Sequence, residues 1–369
     1  MPNQRPRDED GDAVAGKRLR IEEELRSQIR DGVLSPGSRL PTRVQLEKRF
    51  HASSVTIQRA LDSLIAEGFV EPRGRHGTFV VDLPPHLYRY GLVLPARPED
   101  ETWNHFYETL VREATVVTSG MPQRFAVYHG VNENVGWRDH QNLIRDLESG
   151  RLVGVFFAVN PWQLRWSTSP VLGHRLPRVQ IDRGDASEPG VSRIVLEGSW
   201  MTRALDHLRQ AGAKRIAVIS NRMTGGMHDD FLPALTERNL TTRRSWWFSV
   251  APLQRATAVA AQIAFSLLDR PVEDRPDGLI IGDDNLVDDV AKGIQASGLT
   301  LPRDLAVVAH ANLPDPEPPP LPCRRLGFDA RRILRQALLL LDHLRQDGDP
   351  EMASIPVQFE DEIPRPSGQ

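Results

Sequence analysis

The feature that most constrains the fold is an alternation of apolar runs and amphipathic stretches, which begins at Tyr90 and continues through most of the chain. Short apolar runs predict buried strands, and apolar residues at helical spacing predict the helices between them. This alternation is typical of right-handed βαβ crossovers and a parallel sheet. Residues 90–369 are too many for one sheet, so we expect a two-lobed, doubly wound α/β domain. The expected strands are 90–94, 124–128, 153–158, 178–181, 215–220, 246–250, 278–281 and 305–309, and the expected helices are 103–119, 139–149, 198–211, 254–268 and 286–297.

The composition argues against several other classes of protein. Hydrophobic residues make up 40% and charged residues 26% of the chain, as in globular domains. No run approaches the ~20 apolar residues of a transmembrane helix, and the N-terminus lacks the apolar region of a secretory signal. Cys323 is the single cysteine, which excludes an internal disulfide and a cysteine-built zinc site. We therefore expect a cytoplasmic protein with no metal site and no cofactor.

The first 81 residues have a different pattern. Residues 1–16 are polar and have no apolar periodicity, which predicts a disordered tail. Residues 17–81 predict a small domain of three helices and a two-stranded hairpin. Residues 82–89 predict a short linker that Pro84 and Pro85 stiffen. Within the small domain, the expected helices lie near 19–29, 43–50 and 54–67, and the expected strands lie at 69–70 and 78–81.

The second and third helices of this domain predict a helix-turn-helix. The tight turn at 51–53 lets the third helix lie in the major groove of DNA with its first residues at base edges. Its polar residues are expected to face outward, and the basic hairpin tip is expected to reach a minor groove or phosphates. Between Arg39 and His76 basic residues outnumber acids, in a chain of net charge −3. The predicted DNA-binding residues are Thr42, Arg43, Ser53, Ser54, Thr56, Gln58, Arg59, Arg73, Arg75 and His76.

Several short motifs follow one another through residues 17–81. They include Ile29-Arg-Asp-Gly-Val-Leu-Ser-Pro-Gly-Ser-Arg-Leu-Pro-Thr42, Glu67-Gly-Phe-Val70 and Gly74-Arg-His-Gly-Thr-Phe-Val80. In this order they closely resemble the winged helix of the GntR family. The resemblance implies a dimer that binds a pseudo-palindromic operator. Val44 and Ser54 stand where that family commonly has arginines, so we expect an operator that differs from the usual one.

A second set of motifs lies in the α/β part. It includes Pro177-Arg-Val-Gln-Ile-Asp-Arg183, Gly212-Ala-Lys-Arg-Ile-Ala-Val-Ile219, Pro276-Asp-Gly-Leu-Ile-Ile-Gly-Asp-Asp-Asn285 and Gly298-Leu-Thr-Leu-Pro-Arg-Asp-Leu-Ala-Val-Val308. These motifs resemble the LacI/GalR type of effector domain, which is related to periplasmic sugar-binding proteins. The resemblance implies a ligand cleft between two lobes and dimerisation through the lobes. A GntR-type head on a LacI-type body resembles the arabinose-repressor subgroup.

Candidate ligand-binding residues follow from strand positions. Ligands of doubly wound sheets bind beyond the carboxyl ends of strands, so polar residues there are candidates, as is an indole near the first strand end. The same residues could instead cap helices or close turns, and both interpretations stay open. Met227 and His310 stand where sugar-binding relatives have an arginine and an acid, so either the effector is no typical sugar or the cleft has lost its ligand. The predicted effector-binding residues are Trp103, Asn160, Asp182, Arg183, Asn221, His228, Asp283 and Asp284.

Motifs of catalysis are missing from the sequence. It contains no Gly-x-Ser-x-Gly elbow, no His-Glu-x-x-His and no phosphate-binding Gly-x-x-x-x-Gly-Lys. Lys214 and Lys292 lack the context of a Schiff-base lysine, which an aminotransferase body would need. We predict a regulator and no enzyme: a homodimeric repressor that binds double-stranded operator DNA under control of a small molecule, such as a sugar. The alternative is a ligand-independent DNA-binding regulator whose C-terminal domain only dimerises.

Overall fold

The structure is a computed structural model. It describes residues 9–161, 164–165, 168–182, 189–221, 226–251 and 257–364, and for 9–14 and 226–230 it describes the backbone alone. The helices are α1 (Glu9–Arg30), α2 (Arg43–Phe50), α3 (Ser54–Ala66), α4 (His105–Val117), α5 (Arg138–Glu148), α6 (Trp200–Gln210), α7 (Gly226–Glu237), α8 (Val259–Leu268), α9 (Val287–Ala296) and α10 (Ala330–Arg345). The strands are β1 (Val70–Pro72), β2 (Thr78–Val80), β3 (Arg89–Val93), β4 (Arg124–Tyr128), β5 (Gly154–Phe157), β6 (Arg178–Asp182), β7 (Val191–Leu196), β8 (Ile216–Ser220), β9 (Trp247–Ser249), β10 (Gly278–Ile281), β11 (Ala306–Leu313), β12 (Arg324–Asp329), β13 (Met352–Ile355) and β14 (Gln358–Phe359).

The first part, which we call the head, contains α1 to α3 and the antiparallel hairpin β1–β2. Apolar residues spaced along one side of each helix meet in a closed core. The predicted disordered tail is wrong for residues 9–16, because these residues are part of α1; residues 1–8 lie outside the described residues. The central core residues are Ile21, Leu25, Leu46, Ile57, Leu64 and Phe69, each at most 1% exposed.

Lobe 1 is built on a six-stranded sheet in the order β13-β7-β6-β5-β3-β4, and every neighbouring pair of these strands is parallel. Helices cover both faces. Leu110 of α4 and Ile333 of α10 belong to the core on one face, and Leu143 of α5 belongs to the core on the other. The chain runs from β3 to the edge strand β4 and then returns to β5 on the other side of β3. The direction of winding therefore reverses beside β3, as in doubly wound folds.

Lobe 2 repeats this arrangement with the order β14-β12-β11-β10-β8-β9. Its strands are parallel except for the short β14, which pairs antiparallel with β12. Helices α8 and α9 pack on one face, and α6 and α7 pack on the other. The winding direction reverses here beside β8. The predicted winged helix-turn-helix with a two-lobed, doubly wound α/β domain is confirmed.

The connections between the lobes complete the fold. Within the described residues, the chain passes from lobe 1 to lobe 2 through α6 and returns to β13 of lobe 1 through α10. It then passes once more to lobe 2, at β14. Helix α10 follows a strand of lobe 2 but packs on the sheet of lobe 1. The sequence predictions did not include α7, α10, β7 and β12 to β14. None of the helices in the described ranges is long and apolar enough to cross a membrane.

Candidate DNA interface and ligand cleft

The turn between α2 and α3 is short and fixed at both ends. His51 ends α2 in the left-handed conformation, with φ of 48°, and its N–H bonds the carbonyl of Glu47. Ser53 caps α3, because its Oγ accepts the N–H of Thr56 at 3.3 Å. Residues 51–53 thus set the angle between the two helices and present the first turn of α3 at the surface of the head, the geometry of a helix-turn-helix.

Helix α3 exposes only some of the residues that the sequence assigned to DNA. Ser54 and Arg59 are exposed, and the amide of Gln58 is half-buried and donates to Asp62 at 2.6 Å. The prediction that Thr56 faces outward is wrong, because this residue is only 6% exposed. Its hydroxyl lies 2.9 Å from Oγ of Ser53, so it stabilises the helix start instead of pointing at bases.

The start of α2 carries two further predicted residues. Thr42 and Gln45 form a capping box: Oγ1 of Thr42 accepts the N–H of Gln45, and Oε1 of Gln45 accepts the N–H of Thr42 at 2.7 Å. Arg43 follows with an exposed side chain. The box fixes where α2 begins and therefore where Arg43 emerges, next to the positive end of the helix dipole.

The hairpin tip, which we call the wing, presents the other basic residues. Arg73 donates to Glu71 at 2.7 Å, and its guanidinium lies 4.8 Å from the centre of the Phe79 ring, so it is held against the hairpin. Arg75 and His76 lie in the turn 74–76 and are exposed. These two residues are consequently the groups of the wing that are best placed to meet a partner.

Arg39 joins the wing, although the sequence analysis did not select it as a DNA-binding residue. Its backbone forms a bridge with Phe79, and its guanidinium lies beside Gly77. Gly77 has φ of 105° and ψ of −160°, a conformation that essentially only glycine adopts. A run of turn residues before a helix gives no sign of this contact, which requires the chain from 37 to 40 to lie along β2.

A buried ion pair connects α1 to the end of α3. Arg26 is 6% exposed and donates to both carboxylate oxygens of Glu67, at 2.9 and 3.1 Å. It also donates to Glu23 at 2.7 Å. Glu22 lies within 3.6 Å of the same guanidinium, and burial raises the pKa of Glu22. This group of charges fixes α3 against α1, and hence the orientation of the residues that α3 presents.

In lobe 2, predicted cleft residues meet at the reversal point beside β8. Asn221, just after β8, donates its amide to the carboxylate of Asp283, which follows β10. Asp283 also caps the turn 284–286 by accepting the N–H of Asn285 at 2.9 Å. The interpretation of Asp283 as a cap is thus confirmed for this turn. A ligand site at such a reversal point is the general rule for doubly wound sheets.

Asp284 belongs to the same cluster. Its carboxylate accepts the amide of Asn312 at 2.5 Å, and the ring nitrogen Nδ1 of His310 is 3.9 Å away. Burial raises the pKa of Asp284, while the positive potential of His310 and His105 opposes that rise. Asp284 does not cap α9, because Leu286 occupies the cap position. Its carboxylate instead accepts the amides of Asn312 and Asn285 at the carboxyl ends of the strands.

Lobe 1 closes on this cluster through the start of α4. The backbone N–H of His105 donates to Oδ1 of Asn285 at 3.1 Å, and its Nδ1 lies 4.0 Å from Asp284. Trp103, two residues earlier, is half-buried, with its ring 5.7 Å from the ring of His129. The structure thus brings together polar groups of both lobes beside an aromatic surface. His105 is a residue that the sequence analysis missed, since no motif links it to lobe 2.

The remaining predicted cleft residues differ in their surroundings. Asp182 is 1% exposed and accepts a bond from Arg193 of the neighbouring strand at 3.1 Å. Asn160 is half-buried beyond β5. Arg183 lies outside the described residues, and for His228 only the backbone is described, as part of α7. Within the described ranges, no group of three or more His, Cys, Asp or Glu side chains could hold a metal ion.

Comparison with known proteins first defines the class. Residues 17–80 match the model of the bacterial regulatory proteins of the gntR family, and residues 205–362 match the periplasmic binding protein-like domain. The chain therefore joins a GntR-type DNA-binding head to a periplasmic-binding-protein-like effector domain. It is a DNA-binding transcription regulator.

Particular relatives extend the likeness along the chain. The arabinose metabolism transcriptional repressor of Geobacillus stearothermophilus is 23% identical over 314 residues, which are 79% of this chain and 81% of that protein. The regulator GmuR of Bacillus subtilis is 39% identical over 61 residues, and the matched segment spans only 26% of its length. The second likeness is therefore confined to a small part of both chains.

Solved structures support the fold of the two lobes. A LacI transcriptional regulator from a Rhodococcus species superposes with a TM-score of 0.55 at 17% identity, over 74% of this chain and 96% of that one. A LacI-family regulatory protein from Chloroflexus aggregans gives 0.54 at 19% identity, over 73% and 96%. At such identities the likeness concerns the fold alone.

Proposed function

We propose that this regulator is a cytoplasmic, homodimeric repressor without catalytic activity, and that a small molecule in the cleft between the lobes controls its binding to operator DNA. The observation that carries the proposal is the meeting of Asp284 and Asn285 of lobe 2 with His105 of lobe 1. A ligand that touches both sides has a different affinity for each arrangement of the lobes. It can therefore shift the population of the arrangement that binds DNA.

The chemistry of the cleft favours a ligand with hydroxyl or amino groups. The carboxylates of Asp283 and Asp284 accept hydrogen bonds, and the amides of Asn221 and Asn312 can donate as well as accept. Trp103 offers an aromatic face of the kind on which the apolar side of a sugar ring packs. These groups match the hydroxyl pattern of a neutral sugar or polyol. That the similar Geobacillus protein is an arabinose metabolism repressor supports the same class of effector.

DNA binding is assigned to three surfaces of the head: the first turn of α3, the start of α2 and the wing. Base edges would be read by Ser54, Gln58 and Arg59, and phosphates would be held by Arg43 and the wing. Ser53 and Thr56 act differently: Ser53 caps α3 at the DNA-facing end of the helix, and Thr56 supports that cap. The exposed basic residues on these surfaces are Arg39, Arg43, Arg59, Arg73, Arg75 and His76.

The effector is tested by thermal unfolding with a panel of neutral sugars, polyols and amines. A ligand at about 100 times its Kd adds ~2.7 kcal/mol to the stability of the domain that binds it. We expect at least one compound to raise the Tm of the wild type. The Asp284→Asn variant should lose this rise, whereas Asp288→Asn, which changes an exposed carboxylate on α9, should keep it.

The same compound should change the affinity for an operator fragment selected from genomic DNA. A rise in Tm that persists in Asp284→Asn would contradict the assignment of the cleft. If no compound changes either Tm or operator affinity, the alternative holds: a ligand-independent regulator whose C-terminal domain only dimerises.

A further inference from the structure

A cavity of about 520 Å³ lies away from the cleft, where the head, the linker and lobe 1 meet. It is formed by the end of α1, the linker turn 85–87, the loops 150–153 and 175–177, and the end of α10. Its volume is in the range of small-molecule sites in proteins. The function proposed above does not use it.

Positive groups dominate the walls of this cavity. Arg30 comes from the head, Arg175 and Arg345 come from lobe 1 and α10, and Asp347 is the one acid among the described residues that line it. Among the described residues, Arg30 pairs with Glu23 at 2.8 Å, and Arg345 lies 3.5 Å from Asp342. A guanidinium has five N–H donors, so these contacts leave donors for a bound group.

The junction is closely packed at Arg30. A Cβ added to Gly150 would lie within 2.3 Å of Nη1 of Arg30, so the guanidinium of the head rests directly on the backbone of lobe 1. Gly150 also has φ of 60°, which glycine adopts without strain. A residue with a side chain at this position would push Arg30 out of the cavity. The contact of head and body therefore depends on this glycine.

His86 of the linker completes the wall. Its ring stacks on Phe69 of the head core at 6.0 Å, and its Nδ1 is shielded from solvent without a hydrogen-bond partner among the described residues. Burial and the positive charges of Arg30 and Arg345 lower the pKa of His86 to about 4. Arg30 and Arg345 thus act on His86, and the lining of the cavity carries three arginines against one acid.

We propose that this cavity binds a small molecule that carries a phosphate group. Arginine guanidinium groups bind phosphate oxygens through paired, charge-assisted hydrogen bonds. Three of them, from two parts of the molecule, line this cavity. A phosphate group offers three strong acceptor oxygens and a charge near −2, more of both than a single carboxylate offers.

The bound phosphate would fasten the head to the body. Arg30 moves with α1, while Arg175 and Arg345 move with lobe 1, so one ligand bridges the two parts. It binds the arrangement described here more tightly than any arrangement in which Arg30 has left Gly150. The ligand would therefore set the orientation of the head, and with it operator affinity, independently of the cleft.

The test uses the full chain and two probes, inorganic phosphate and a hexose 6-phosphate, with chloride at equal ionic strength as reference. We expect both probes to raise the Tm of the wild type. In Arg175→Gln/Arg345→Gln, the Kd from titration calorimetry should be weaker by about tenfold or more. Arg209→Gln, which removes an exposed arginine of lobe 2, should match the wild type. If the double variant is unstable, Arg175→Gln alone serves, with a smaller loss expected.

Two results would overturn the proposal. One is a shift in Tm that is equal in the double variant and the wild type, or that does not exceed the chloride reference. The other is a loss of operator affinity by the double variant in phosphate-free buffer, which would assign these arginines to DNA. Either result leaves the cleft experiment unaffected, because that experiment depends on Asp284.

Discussion

Replacement of Gly77 by alanine tests the wing, because its backbone lies where only glycine is unstrained. Its φ of 105° and ψ of −160° are almost never found for residues with a Cβ. The added Cβ would also lie 3.0 Å from Nε of Arg39. Gly74 provides the matched control in the same turn. It has φ of 55°, in the ordinary left-handed region, and no atom within 4 Å of an added Cβ.

The magnitude follows from these two differences. A residue with a Cβ in a glycine-only region costs ~1–3 kcal/mol. Because this conformation is essentially closed to residues with a Cβ, Gly77→Ala lies at the upper end, whereas the exposed side chain of Arg39 can shift to relieve its own contact. The free wing can relieve this strain by changing shape, but it must restore the original shape on DNA. The free energy of this strain is then subtracted from the free energy of binding. A loss of ~3 kcal/mol makes the affinity about 100-fold weaker. Gly74→Ala costs ~1 kcal/mol, or about fivefold.

The measurement is fluorescence anisotropy of a labelled operator fragment at one fixed salt concentration, since affinity for DNA varies steeply with salt. Circular dichroism verifies that both variants keep the fold. We expect Gly77→Ala to bind at least ten times more weakly than Gly74→Ala. Equal affinities of the two variants would refute the reasoning, and wild-type affinity in Gly77→Ala would show that the wing does not contact DNA.

Three further changes have defined outcomes. Glu67→Gln leaves the buried Arg26 with weaker partners and should destabilise the head by ~2 kcal/mol. The loss is smaller than for a fully buried pair because Glu67 is 17% exposed. An unchanged urea midpoint, measured by circular dichroism, would contradict this. In the absence of effector, the operator affinity of Asp284→Asn should lie within about twofold of the wild-type affinity. A larger loss would show that Asp284 supports the fold. Because the pKa of His86 is lowered from 6.5 to about 4, the unfolded chain binds more protons in that interval, and stability should fall as the pH falls from about 6.5 to about 4. Between these pH values, His86→Gln should reduce the slope of Tm against pH. A slope equal to that of the wild type would refute this assignment to His86.

Much of the fold could be predicted because the strongest signals are local. The helix-turn-helix follows from caps and apolar spacing: Thr42 and Ser53 lie where the sequence placed the starts of α2 and α3. The buried strands of both lobes follow from continuous apolar runs. By contrast, β13 and β14 are short edge strands whose pairing joins distant parts of the chain, and no local pattern marks such strands.

The functional residues were harder to predict. Thr56 has a polar side chain at the start of a recognition helix, and only its burial shows that it supports the cap of Ser53. His105 meets Asp284 across the cleft, a contact between residues far apart in sequence that depends on how the lobes meet. The junction cavity was hard to predict for the same reason, because it depends on how Arg30 of the head meets Gly150 of lobe 1.

The late position of α10 in the chain has a consequence for synthesis on the ribosome. The head can fold as soon as residues up to β2 have emerged, because its core is complete by then. Lobe 1 must wait, although its first strand follows at once, because α10 shares one covering layer of its sheet with α4, and β13 supplies one edge. During most of translation lobe 1 therefore exposes apolar surface, and it is the part of the nascent chain for which we expect chaperone binding.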